Sequence, residues 1–132
     1  MNLFLIHAGL MAAGFLSFLS ALLIAATQRR KRWWLKVHRI AGLGGTTLML
    51  LGAVTAVAAV ASFAGVHLRT PHTWLGALTV TTALITPVLG LLQFSFPAQG
   101  AMIRTVHRFC GRFLNLIAPV TIVMGLRSAG IL

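Results

Sequence analysis

HRIAGLGGTTLMLLGAVTAVAAVASFA, residues 38–64, opens on a histidine and an arginine and then runs to its end without another charge. A helix needs roughly 20 apolar residues to cross a bilayer core, and the stretch from 39 to 64 is long enough. It is rich in glycine and alanine, beginning with Gly42, Gly44, Gly45 and Gly52. Small residues let helices approach closely where lipid supplies no hydrophobic drive between them. A histidine at the head of such a span is costly in a membrane unless it has a task.

The same arrangement recurs on either side. Apolar spans are expected at about 3–27, 39–64, 72–96 and 104–126, and His7, His38, His72 and His107 each lie close to the start of one. Three of them are followed four residues later by glycine: HRIAG at 38–42, HTWLG at 72–76 and HRFCG at 107–111. The chain of 132 residues is 58% hydrophobic, with a mean hydropathy of +0.95, and little of it is left for a soluble domain. The expectation is an all-α membrane protein with one domain over 1–132, a four-transmembrane-helix up-down bundle.

Charge orients the spans. There are 11 Lys and Arg and no Asp or Glu. Arg29, Arg30, Lys31, Arg32, Lys36 and Arg39 lie between the first two spans, and Arg104, Arg108 and Arg112 lie where the third gives way to the fourth. Only Arg69 and Arg127 fall at the opposite ends. The positive-inside rule assigns the crowded side to the cytoplasm and both termini to the outside. So distributed, the charge suits anionic lipid headgroups, not nucleic acid. Residues 1–26 are expected to be retained as a helix, because their positive charges follow the apolar run and do not precede it, as they would in a signal peptide. Trp33, Trp34 and Trp74 belong at the interfaces. Thr70-Pro71 reads as an N-cap followed by proline at the first helical position. Pro87 and Pro119 fall near mid-span, and the Thr86 and Thr121 hydroxyls are expected to satisfy the carbonyls they free.

Alternating helix direction pairs the histidines. His7 and His72 both start from the outside, and His38 and His107 from the inside. In a square bundle the first and third helices are diagonal, as are the second and fourth. Each level therefore sets two imidazoles across the core, suited to be the axial ligands of one haem iron. Bis-imidazole ligation leaves no open position and favours electron transfer. The absence of C-x-x-C-H excludes covalent attachment, and the lone Cys110 holds no iron–sulfur cluster by itself. The cofactors expected are two non-covalent haems b, roughly 20 Å apart across a 30 Å core. Gly42, Gly76 and Gly111 stand one turn deeper than their histidines, where a side chain would strike the macrocycle; Ala8 and Gly14 near His7 are read in the same role. Arg39, Arg108 and Arg69 are candidate propionate or headgroup partners. Met11, Met49, Met102 and Met124 read as packing residues, and His67 as a loop histidine. With more cations around it, the inner haem should have its potential raised more than the outer.

The residues resemble the cytochrome b561 family. HAGLMAAGF at 7–15 is similar to its "HPxLMxxGF" segment and PHTWLG at 71–76 to its "LHSWxG" segment; KVHRIAG at 36–42 and VHRFCGRF at 106–113 resemble its second and last ligand helices. HAG stands where the family has HPx. The resemblance covers the four-helix core and implies two bis-histidyl b haems, diagonal pairing and transmembrane electron transfer. Eukaryotic members flank this core with two further helices, and many take electrons from ascorbate to reduce monodehydroascorbate or ferric iron, an activity that no substrate-site motif beyond scattered Lys and Arg carries over to this sequence. The shortness of this chain looks more like bacterial relatives in an inner membrane, which implies a quinol or a redox protein as partner. The alternative is a haem-bearing or structural subunit of a larger complex, or a homo-oligomer. A proton-coupled multidrug carrier would need a membrane carboxylate, which this sequence lacks; a metal permease would stack its histidines along one path.

Overall fold

A computed structural model of the chain describes residues 3–63 and 65–132. Among them are four long helices in chain order, α1 (Leu3–Thr27), α2 (Trp34–Phe63), α3 (Pro71–Ser95) and α4 (Gly100–Ser128), with one short 3-10 turn at Pro97–Gln99 and no strand. Each long helix is apolar and long enough to cross a membrane. The protein is an integral membrane protein built as an all-helical bundle.

The first and third helices fall within a residue of the expected spans; the other two start earlier. α2 begins at Trp34, not 39, and α4 at Gly100, not 104. No helix breaker separates Trp34 from Arg39, and Trp34 stands one turn before His38 with ring centroids 6.1 Å apart. His38 and His107 consequently sit inside their helices and not at the ends. The expected end of the second span, residue 64, lies outside the described residues. Thr70 caps α3 as expected: it accepts from the Thr73 backbone, Thr73 returns a bond to the Thr70 backbone, and Pro71 fills the first turn.

α1 packs closely on α2 and α3 on α4, while α2–α3 and α1–α4 meet more loosely. The backbones of α1 and α3, and of α2 and α4, do not come within 8 Å of each other (Cα to Cα) among the described residues, so those helices are the diagonals. The α1–α2 approach is set by glycine. A Cβ on Gly14 would lie 2.7 Å from Met49 Cγ and 3.1 Å from the Gly45 carbonyl oxygen, and one on Gly45 would lie 2.8 Å from the Phe18 ring. Gly14 therefore faces α2, not a cofactor space, which corrects the expectation for it. The core is thin, formed by Met11, Phe18, Met49, Ala83, Leu114 and Ala118. Large apolar side chains such as Leu16, Val54, Phe109 and Leu116 point outward, which a lipid-facing surface requires. Met102 is among them, so it is not the packing residue expected.

The carbonyl freed by Pro87 is satisfied differently from the expectation. Proline lacks the N–H that would bond residue 83. Thr46 of α2 donates its hydroxyl to the Ala83 carbonyl at 3.0 Å, whereas Thr86 bonds Thr82 of its own helix. Likewise Thr121 bonds Ile117 and lies 3.0 Å from the Thr79 hydroxyl across the α3–α4 seam. A threonine on a neighbouring helix can reach a freed carbonyl as readily as one in the same turn.

Candidate functional site

The four span-leading histidines form two facing pairs. The His7 and His72 rings have centroids 6.3 Å apart and planes at 78°; those of His38 and His107 are 6.0 Å apart at 84°. The spacing has a simple chemical meaning. An imidazole nitrogen binds a first-row metal at about 2 Å, as at zinc, so two nitrogens opposed across one ion put their ring centroids about 6 Å apart. No three metal-ligating side chains come together among the described residues. Two protein ligands leave most positions of a bare ion open, but they would suit an iron already held by a porphyrin.

Every one of the four rings is held in the same way. Nδ1 of His7 donates to the Gly52 carbonyl at 2.8 Å, that of His38 to Ala21 at 2.9 Å, that of His72 to Thr121 at 3.0 Å and that of His107 to Thr86 at 2.8 Å. A carbonyl can only accept, so Nδ1 carries the proton in each ring and Nε2 keeps the lone pair that a metal needs. Such a bond also fixes ring orientation and raises ligand basicity.

The acceptors reveal a repeat. Each stands fourteen residues after the histidine of its own helix: Ala21 after His7, Gly52 after His38, Thr86 after His72, Thr121 after His107. In each antiparallel hairpin the two helices therefore exchange bonds, α1 with α2 and α3 with α4. Halfway along the interval, seven residues after each histidine, stand Gly14, Gly45, Thr79 and Leu114, all buried. The interval corresponds to about 21 Å of helix, which separates the two histidine levels. Each facing pair takes one histidine from each hairpin, so a ligand shared by the pair would join two halves that otherwise meet loosely.

The inner pair opens on a cavity of about 520 Å³ to which all four helices contribute. Pockets for organic ligands run to about 300–1,000 Å³. Gly42 and Gly111 line it. A Cβ on Gly42 or Gly76 would meet nothing within 4 Å, and one on Gly111 only the Thr86 methyl at 3.9 Å. These are the three glycines expected to clear a macrocycle, and each faces space that a side chain would fill. Arg39 and Arg108 line the inner cavity together with Arg29, Arg104 and Arg112. Arg39 also lies over the Phe94 ring, 4.6 Å from its centroid, a cation–π contact. Arg69 is exposed in the connection that leads into α3. His67 is exposed in the same connection, and the ring that faces His7 belongs to His72. The residues present thus fit haem, by ring spacing and tautomer at both pairs and by cleared space at the His38–His107 pair.

Sequence reasoning missed the carbonyl acceptors, because a backbone oxygen has no signature of its own. A faint signal exists in the small residues fourteen and eighteen positions after each histidine: Ala21 and Ala25, Gly52 and Ala56, Thr86 and Gly90, Thr121 and Gly125. A family model described as eukaryotic cytochrome b561 matches residues 5–132. No curated protein and no solved structure matches the chain.

Proposed function

This chain belongs to the cytochrome b561 family, whose function is transmembrane electron transfer by haem b, and we propose that it does so with two haems, each ligated by Nε2 of two histidines. The ligands are His7 and His72 toward the outer face and His38 and His107 toward the inner. The observation that carries this reading is the pair of ring separations, 6.3 and 6.0 Å, together with four Nδ1 atoms already committed to carbonyls.

Bound haem b supplies a one-electron ferric–ferrous couple, and the polypeptide supplies position and electrostatics. His7 and His72 would hold one haem iron and His38 and His107 the other, which would leave substrate no open position on the iron. The carbonyl bonds lock each ring, so little reorganisation accompanies a change of charge. Gly42, Gly76 and Gly111 keep the macrocycle space clear. Arg39 and Arg108 neutralise propionates at the inner level, and Arg69 serves the outer. The cations before and at the start of α2 and at the start of α4 support a reading with that end in the cytoplasm and both termini outside, in a bacterial inner membrane. The donor is a quinol, an ascorbate-like reductant or a redox protein, and the acceptor stands at the other face.

The test is haem stoichiometry by pyridine haemochrome on the purified protein and its single-histidine variants. Two b haems per chain are expected. His38→Ala and His107→Ala should each remove the same haem and spare the other, and His7→Ala and His72→Ala should remove the second. One haem per chain in the unmodified protein, or loss of different haems from His38→Ala and His107→Ala, would overturn the pairing.

A further inference from the structure

Gly90 and Gly125 differ from the glycines that clear space. A Cβ on Gly125 would stand 2.7 Å from His72 Cε1, 3.1 Å from its Nδ1 and 3.3 Å from its Nε2. On Gly90 it would stand 3.0 Å from His107 Cε1 and 3.3 Å from its Nδ1. Each glycine lies one turn after the threonine that accepts from the same imidazole: Thr121 for His72 and Thr86 for His107. The two motifs read TPVLG at 86–90 and TIVMG at 121–125. In the α1–α2 hairpin the corresponding positions, one turn after Ala21 and Gly52, hold Ala25 and Ala56. The α3–α4 hairpin thus has bare backbone at the positions where the α1–α2 hairpin carries a methyl, and each facing pair takes one histidine from each hairpin.

We propose that Gly125 and Gly90 are positioning residues for His72 and His107, setting the depth and angle of each ring and thereby the donor strength of its Nε2. The inference rests on the reading of these histidines as haem ligands. A methyl at Gly125 collides with a rigid ring and not with the free end of a flexible chain. The ring can escape only by moving off α4, which lengthens its 3.0 Å bond to the Thr121 carbonyl. A weaker Nδ1 bond makes Nε2 a poorer donor. The ferric state, which relies most on that donation, is then stabilised less, and the midpoint potential rises. The angle between the paired rings, 78° at the outer level, changes with it.

The experiment is potentiometric titration with low-temperature EPR of the purified, haem-loaded protein, compared with Gly125→Ala and Gly90→Ala. Gly125→Ala is expected to raise the outer midpoint and alter the outer low-spin ferric signal while the inner haem keeps both; Gly90→Ala should do the reverse. Loss of only the outer haem from Gly125→Ala would count the same way. Where Gly125→Ala does not accumulate, Gly90→Ala decides, since its closest approach is 3.0 Å and not 2.7 Å. Two haems with midpoints and ferric signals unchanged in both variants would overturn the positioning role and leave the ligand assignment intact. Equal shifts of both haems in either variant would also overturn it, because they report general loosening of the bundle. Wild-type protein without b haem would overturn both the ligand reading and this one.

Discussion

Replacing Gly42 or Gly111 by leucine should separate the helix from the cofactor it is built to admit. A Cβ on Gly42 meets nothing within 4 Å, and on Gly111 the nearest atom is 3.9 Å away, so the unloaded fold has room for the new side chain. Leucine is also the better helix former by about 1 kcal/mol, so the helix itself loses nothing. The four added carbons project into the cavity of about 520 Å³ lined by His38 and His107, one turn from one of those histidines. Overpacking a filled site costs about 1–3 kcal/mol even where neighbours give way, and a haem bound in this cavity would leave the leucine no room. Haem content by pyridine haemochrome should therefore fall from two per chain to one, with the outer haem retained and the apoprotein no less stable. Gly14→Ala is the contrast. Its methyl would meet Met49 Cγ at 2.7 Å and the Gly45 carbonyl oxygen at 3.1 Å, so it should cost about 1–3 kcal/mol of stability and weaken both haem levels together. Full occupancy of both haems in Gly42→Leu and Gly111→Leu would refute the assignment of that cavity.

Two further outcomes are expected. Neutralising Arg39 or Arg108, which line the inner cavity, should lower the inner midpoint by on the order of 50 mV at low salt, less at high salt, and leave the outer one unmoved; titration at two ionic strengths checks this. Thr46→Val should cost about 1 kcal/mol in thermal or denaturant unfolding, because the carbonyl of Ala83 loses the hydroxyl that reaches it at 3.0 Å. Combined with Pro87→Ala, which restores a donor in the helix itself, the cost should shrink, and additivity of the two changes would refute the link.

The histidine pairing was legible in the sequence because it needs only helix direction. Four spans with short connections must alternate in direction, so His7 meets His72 and His38 meets His107 without any knowledge of packing. The glycines show where that legibility stops. Gly14 and Gly42 are the same residue in similarly apolar helices, yet one touches a neighbouring backbone and the other faces open space. Periodicity assigns a residue to a face but does not name what lies across from it. The early starts of α2 and α4 have a related origin: Trp34 and Gly100 carry no stop signal, and the apolar pattern alone fixes the membrane span, not the helix around it.

By itself the sequence determined four membrane helices, their alternation in direction and the histidine that leads each of them, since those depend on composition and period along one chain. Only the tertiary structure decided how each imidazole is held. Its Nδ1 partner is a carbonyl fourteen residues beyond the histidine of the adjacent helix, and a carbonyl is common to every residue, so no side chain marks it. The tautomer, the bare-backbone seats at Gly90 and Gly125, and the rescue of Ala83 by Thr46 all arise where two helices cross, and the crossing is fixed by packing between chain segments distant in sequence.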